Sequence, residues 1–173
     1  MNDTRASRSD ASSARNEEVE LARRMLAAAR DATLATAFVG ARPEERGWPY
    51  ASLVLLATDA MGMPLLLLSD LAEHTKNLRD DPRVSLLIDD TKGHEDRLAA
   101  SRLTLLGHAS VIADETERAD ASARFLACHP SAANYADFKD FRFYRVTLDR
   151  AHLVAGFGRI RWIEAGALLG TQQ

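Results

Sequence analysis

A single cysteine, Cys128, stands in the 173-residue chain, so no intrachain disulfide can form and a reducing, cytoplasmic setting is expected. Aromatic residues are scarce at 6%, and net charge is only −3, which gives no electrostatic basis for binding nucleic acid or an anionic membrane. No apolar run approaches the roughly 20 residues that span a bilayer. The opening MNDTRASRSDASSARNEEVE has no apolar stretch behind its charges and does not read as a secretory signal. What is present is an ordinary globular composition, 46% hydrophobic and 27% charged, sufficient for one core.

Residues 1–15 are rich in Ser, Ala, Arg and Asp without periodicity, and the expectation there is a disordered tail. From Asn16 apolar residues recur at helical spacing through Val19, Ala22, Met25 and Ala29. The rest, 16–173, reads as one domain. Strands are expected over Thr33–Val39, Tyr50–Thr58, Pro64–Ser69, Arg83–Asp89, Ser101–Ile112 and Phe141–Leu148, with further strands near His152–Val154 and Arg159–Ile163. Asp59 to Met63 is a hairpin turn, and Ser69 or Asp70 can cap a short helix over Leu71–Asp80. Thr91–Ala99 is a polar loop, Asp114–Cys128 a helix with Asp114 as cap, and Ser131–Lys139 a short connector. The fold class is therefore mainly β with flanking helices: a closed or half-closed barrel of six to seven strands, not a Rossmann fold.

The chemistry concentrates where the strand Leu65–Ser69 gives way to His74, Thr75, Lys76 and Asn77. Imidazole, hydroxyl, ammonium and amide together suit a phosphate dianion, with Lys76 as point charge and Thr75 and Asn77 as oriented donors. A solvated helix face with a capped start fits the same residues. Arg102 is a second cation, at the start of an alternating strand where arginines usually face solvent. Cys128 beside His129 suggests a thiolate–imidazole pair, but adjacent residues rarely face one another, and packing of Cys128 as a small apolar group is the expectation. Trp162 and Phe157 are expected to fill the barrel end rather than to cover a ligand.

Ser52-Leu-Val-Leu-Leu, Leu68-Ser69, His74-Thr-Lys-Asn-Leu, Asp81-Pro-Arg-Val-Ser-Leu87, Arg102-Leu-Thr-Leu-Leu-Gly107, Asp140-Phe141 and Gly156-Phe-Gly158 stand in an order and spacing that resembles the FMN-binding split β-barrels of the pyridoxamine 5′-phosphate oxidase-like superfamily. The branch near the heme-utilisation proteins is the most similar, and the likeness covers about residues 30–163. It implies a homodimer with FMN in a cleft between subunits and, as an expectation, an oxidoreductase acting on a small substrate. By the same resemblance Ser52, Leu53, Val54 and Leu55 would run beside the flavin ring and Leu68 and Ser69 beside the ribityl chain. His74 belongs to the same cofactor-binding set, while Thr75, Lys76 and Asn77 would hold the phosphate and Arg102 would reach across the interface.

Two departures stand out. Oxidases of that superfamily carry an arginine and a lysine where this chain has Ser52 and Ala57, and a C-terminal Arg-x-His where it has Arg159-Ile-Arg161-Trp162. Oxidation of pyridoxamine phosphate is therefore not expected. The alternatives are heme binding or heme degradation on the same fold, and a non-catalytic flavin-binding module. Some heme-binding relatives use a histidine in the C-terminal tail, and no histidine follows His152 here; His74, His94, His108 and His129 remain as candidate iron ligands. No metal-ligating cluster is otherwise expected.

Overall fold

A computed structural model describes the backbone over residues 3–156 and 158–170, with side chains from residue 13 onward. Eight antiparallel strands form one strongly curled sheet in the order β2-β1-β5-β6-β7-β4-β3, with β8 added alongside β7. The strands are β1 (Asp31–Ala37), β2 (Pro49–Leu55), β3 (Ala57–Thr58), β4 (Pro64–Ser69), β5 (Arg83–Asp89), β6 (Ser101–Val111), β7 (Phe141–Ala155) and β8 (Ile160–Glu164). Four helices flank them: α1 (Asp3–Ala28), α2 (Glu73–Asp80), α3 (Glu115–Cys128) and α4 (Ala165–Leu169).

Alternation builds the barrel interior. Leu34, Leu86, Leu103, Leu105 and Leu153 point inward from successive strands and pack with Leu66, Val146, and Ala22 and Leu26 of α1. A second, smaller core lies under α3, where Phe125 meets Phe143, Leu65, Ile112 and Ala132. The sheet's two edges, β2 and β3, are consecutive in the chain. Leu56, between them, is fully buried; its N–H donates to the Arg30 carbonyl, and its own carbonyl accepts from His129 Nε2 at 2.8 Å. The curl thus closes through the covalent chain, and β2 faces β4 without pairing to it. That unpaired seam positions the site.

Several boundaries differ from the sequence expectation. The Tyr50–Thr58 strand divides at Leu56, and the two strands expected over 141–154 are one, β7, which runs through a bulge. There Leu106 pairs with Arg150 but Gly107 pairs with Leu148, leaving Asp149 as the extra residue. The division adds one strand and the merger removes one, and the sheet has eight strands where six or seven were expected. The helix α2 starts at Glu73 with Ala72 as N-cap, whose methyl side chain has no acceptor, while Ser69 and Asp70, expected as caps, bond Asp140 and Arg79. Asp114 caps α3 as expected, accepting from the N–H groups of Thr116 and Glu117. Gly62, at φ 82°, turns the β3–β4 hairpin, while Asp59 Oδ1 accepts from Met61 and Met63 N–H. The helix α1 opens well ahead of Asn16, over residues expected to form no regular element; extending an anchored helix costs little in Ala- and Arg-containing sequence.

A Cβ placed on Gly107 would lie 2.2 Å from the Thr147 carbonyl oxygen, which is backbone and cannot swing away. Gly107→Ala is expected to cost about 1–3 kcal/mol by forcing the bulge apart. Urea unfolding of the two proteins side by side measures it, and an unshifted midpoint would show that β7 yields freely.

Candidate functional site

Where β2 passes β4, the seam opens into a groove of about 330 Å3. Its walls are Leu53, Val54 and Leu55 from β2, Leu67, Leu68 and Ser69 from β4, Ala72 and His74 from the start of α2, and Tyr135 and Phe141. Six residues singled out in the sequence, Leu53, Val54, Leu55, Leu68, Ser69 and His74, therefore line one depression. Ser52 joins them indirectly, its Oγ lying 3.1 Å from His74 Nδ1. Tyr135 and Phe141 were not assigned as site residues from the sequence. Their rings tilt together at 5.0 Å, and only the Asp140-Phe141 pair in the resemblance pointed that way.

His74 is the polar feature of these walls. It is half-buried, and desolvation pushes its pKa below the ordinary 6.5. Against Ser52 two tautomers are open: the hydroxyl donates to Nδ1, or Nδ1–H donates to the hydroxyl and leaves the Nε2 lone pair outward. The unfolded chain takes up the His74 proton before the folded one does. Neutral His74 thus contributes stability present above about 6.5 and lost as pH falls through that value towards the lower folded one. Stability measured by urea unfolding is expected to decline as pH falls below about 6.5, and His74→Gln to flatten part of that decline. An identical slope in the variant would contradict it.

The four residues expected to share a phosphate point in different directions. Asn77 is fully buried: its Oδ1 accepts from Val39 N–H at 3.0 Å and its Nδ2 donates to Thr36 Oγ1 at 2.9 Å, tying α2 to β1. Thr75 is also fully buried, and its hydroxyl has no hydrogen-bond partner among the described residues. Lys76 is half-exposed and pairs with Glu73 at 3.0 Å. Arg102 lies on another part of the sheet, between Asp89 and Val154, and donates to the carbonyls of Leu98 and Arg97. Ser69 is committed too, donating to Asp140 Oδ2 at 2.7 Å and accepting from Leu71 N–H.

The C-terminal arginines are likewise occupied. Arg161 Nε bonds Glu18, a buried carboxylate of α1, and Arg159 lies 3.9 Å from the same group. Trp162 does not fill the barrel end; it is half-exposed on the outer sheet face, beside His152 and beneath the Arg150 guanidinium at 4.4 Å. Phe157 lies outside the described residues. Cys128 packs against the small core, and His129 faces Leu56 and Phe125 rather than the thiol. Among the described residues no cluster of His, Cys, Asp or Glu could hold a metal ion alone, and no helix is long and apolar enough to cross a membrane.

A curled antiparallel sheet with an open seam is a split-barrel architecture. The family model described as "CREG, beta-barrel" matches residues 13–168, and the chain belongs to that family. It is 42% identical over 110 residues to the chloroplastic heme oxygenase HOZ of Arabidopsis thaliana; the match covers 64% of this chain and 33% of that protein, so the chain spans about a third of the plant enzyme's length. A heme binding protein from Mycobacterium smegmatis is 35% identical, with a TM-score of 0.79 over 88% of this chain and 60% of the other. A Clostridium acetobutylicum protein of the pyridoxinephosphate oxidase family, related to general stress protein 26, shares the fold at a TM-score of 0.66 and 11% identity, over 88% of this chain and 98% of the other.

Proposed function

We propose that this chain binds heme in the seam between β2 and β4, on a face that a second copy of the chain covers. One observation carries the reading: an apolar groove holds a half-buried imidazole whose Nδ1 is within hydrogen-bond reach of Ser52, and when Nδ1–H donates to that hydroxyl Nε2 is free to meet a metal. FMN, which the sequence resemblance implies, asks instead for several donors converging on a phosphate. Asn77 and Thr75 are turned inward and Lys76 pairs with Glu73 at the surface, which supports the heme reading. The heme-related names of two relatives point the same way.

Bound heme would supply redox and ligand-binding chemistry at its iron. The chain's residues would do the rest. His74 would ligate, Ser52 would hold its ring, and Leu53, Leu55, Leu68 and Phe141 would exclude water from a flat apolar body. The groove alone is at the small end of the roughly 300–1,000 Å3 typical of ligand sites and is open to one side. Leu53, 75% exposed, heads a continuous cross-strand row on the outer sheet face through Thr33, Leu87, Thr104 and His152 to Trp162. A homodimer burying that row would close the site.

The test is absorbance of purified protein mixed with hemin, together with its mass in solution. A shifted Soret band saturating at one heme per chain, in a dimer, is the expected result. Retained flavin bands with no uptake of hemin would establish the FMN reading in its place.

A further inference from the structure

His129 is buried and stands outside the groove walls. A carbonyl oxygen only accepts, so the 2.8 Å contact between Nε2 and the Leu56 carbonyl places the hydrogen on Nε2 and takes that nitrogen away from any metal. Leu56 is fully buried and pairs with neither β1 nor β4, so its carbonyl takes this bond from the ring and not from a sheet partner. On its other side the imidazole lies 4.8 Å from the Phe125 ring, in the small core that joins α3 to Leu65 of β4 and Phe143 of β7. His129 thus spans the unpaired seam. One side of the ring belongs to the body that carries β4, and the other holds the residue that ends β2. The chain after it then reaches a third wall: Ala132 N–H donates to the His129 carbonyl, Tyr135 N–H donates to the Ala132 carbonyl, and Tyr135 lines the groove.

We infer that His129 is a positioning residue: without touching a ligand, it fixes the separation of the β2 and β4 walls and so the width of the groove. The inference rests on the groove being the ligand site. Backbone pairing holds β2 along one edge only, against β1, and sets no distance to β4. Ser52 ties the middle of β2 to α2 through His74, and the His129 bond ties its end. A side chain at 129 without a donor would leave the Leu56 carbonyl buried and unpaired. That favours states in which the end of β2 moves outward until water reaches the oxygen.

His129→Phe keeps a ring in the small core and removes the donor, whereas His129→Gln keeps a side-chain N–H at comparable reach. Amide hydrogen exchange of the ligand-free chain reads the wall directly. In His129→Phe the β2 amides are expected to exchange about tenfold faster, the scale of one lost hydrogen bond, while β5 and β6 keep the parent's rates. His129→Gln should match the parent throughout. Hemin affinity should follow the same order, about tenfold weaker in the Phe variant and restored in the Gln variant, with an unmoved Soret maximum because His74 is intact. Should His129→Phe not fold, His129→Asn, one methylene short of Gln, takes its place in the comparison. Faster exchange spread equally over β2, β5 and β6, or β2 amides that keep the parent's rate, overturns the positioning role. Selective loosening of β2 with unchanged hemin affinity overturns its link to the ligand. Selective loosening in a protein whose parent takes up no hemin overturns the heme reading and leaves the tether standing.

Discussion

Replacing His74 by alanine is expected to lower heme affinity by more than about 100-fold and to abolish the Soret shift of an imidazole-bound iron. Groups that merely orient a ligating histidine change metal affinity by roughly 10–100-fold, so loss of the ligand itself should exceed the top of that range. Ser52→Ala belongs to the lesser class. It deletes one contact at 3.1 Å from Nδ1 and leaves the ring in place, and a loss of about 10–100-fold with an intact but broadened Soret band should follow. Neither substitution touches the main core: His74 is half-buried and Ser52 sits on an edge strand. Far-ultraviolet circular dichroism and the urea midpoint near neutral pH should stay close to the parent's. A His74→Ala protein that takes up hemin with the parent's spectrum and affinity would remove His74 from the site and return the question to His94 or His108.

The contrast between these residues and their neighbours shows what the order of amino acids could and could not convey. Alternation over Ser101–Ile112 and short apolar runs elsewhere marked the strands, because inward leucines such as Leu34, Leu86, Leu103 and Leu105 must fill one interior, although β7 was expected as two strands. The family resemblance grouped Leu53, Val54, Leu55, Leu68, Ser69 and His74, and they line a single groove because β2, β4 and the start of α2 are fixed once the barrel closes. The side chains of His74, Thr75, Lys76 and Asn77 point in different directions in the structure, since successive residues step by about 100° around the helix axis. His74 faces the groove, Asn77 bonds the end of β1, Thr75 is buried with an unpartnered hydroxyl, and Lys76 faces solvent. The β7 bulge was invisible for another reason. Its cause is the close approach of Gly107 to Thr147, a contact between residues forty positions apart that no local pattern encodes. The burial of Glu18 by Arg161 is of the same kind, pairing α1 with β8 across the length of the chain.

Asn77→Ala should destabilise the protein by about 3–5 kcal/mol, the largest loss expected of any single polar side chain here. Both ends of its amide work. The oxygen accepts from Val39 N–H at 3.0 Å and the nitrogen donates to Thr36 Oγ1 at 2.9 Å, so the side chain clamps α2 onto the end of β1. Truncation strands two groups in a region water does not reach, at about 1–3 kcal/mol each, and opens a cavity beneath the helix. Against a net stability of about 5–15 kcal/mol, that is enough to move a urea midpoint by a large fraction of its value. The slope of the transition should stay constant, since the surface exposed on unfolding does not change. The same measurement separates two roles for this residue. An anion ligand at the surface would leave folding untouched and weaken only flavin phosphate binding, whereas a buried strut loses stability first and ligand only as the helix bearing His74 loosens. A variant that unfolds with the parent yet fails to hold FMN would reinstate Asn77 in a phosphate cradle, and with it the flavin reading that its buried position argues against.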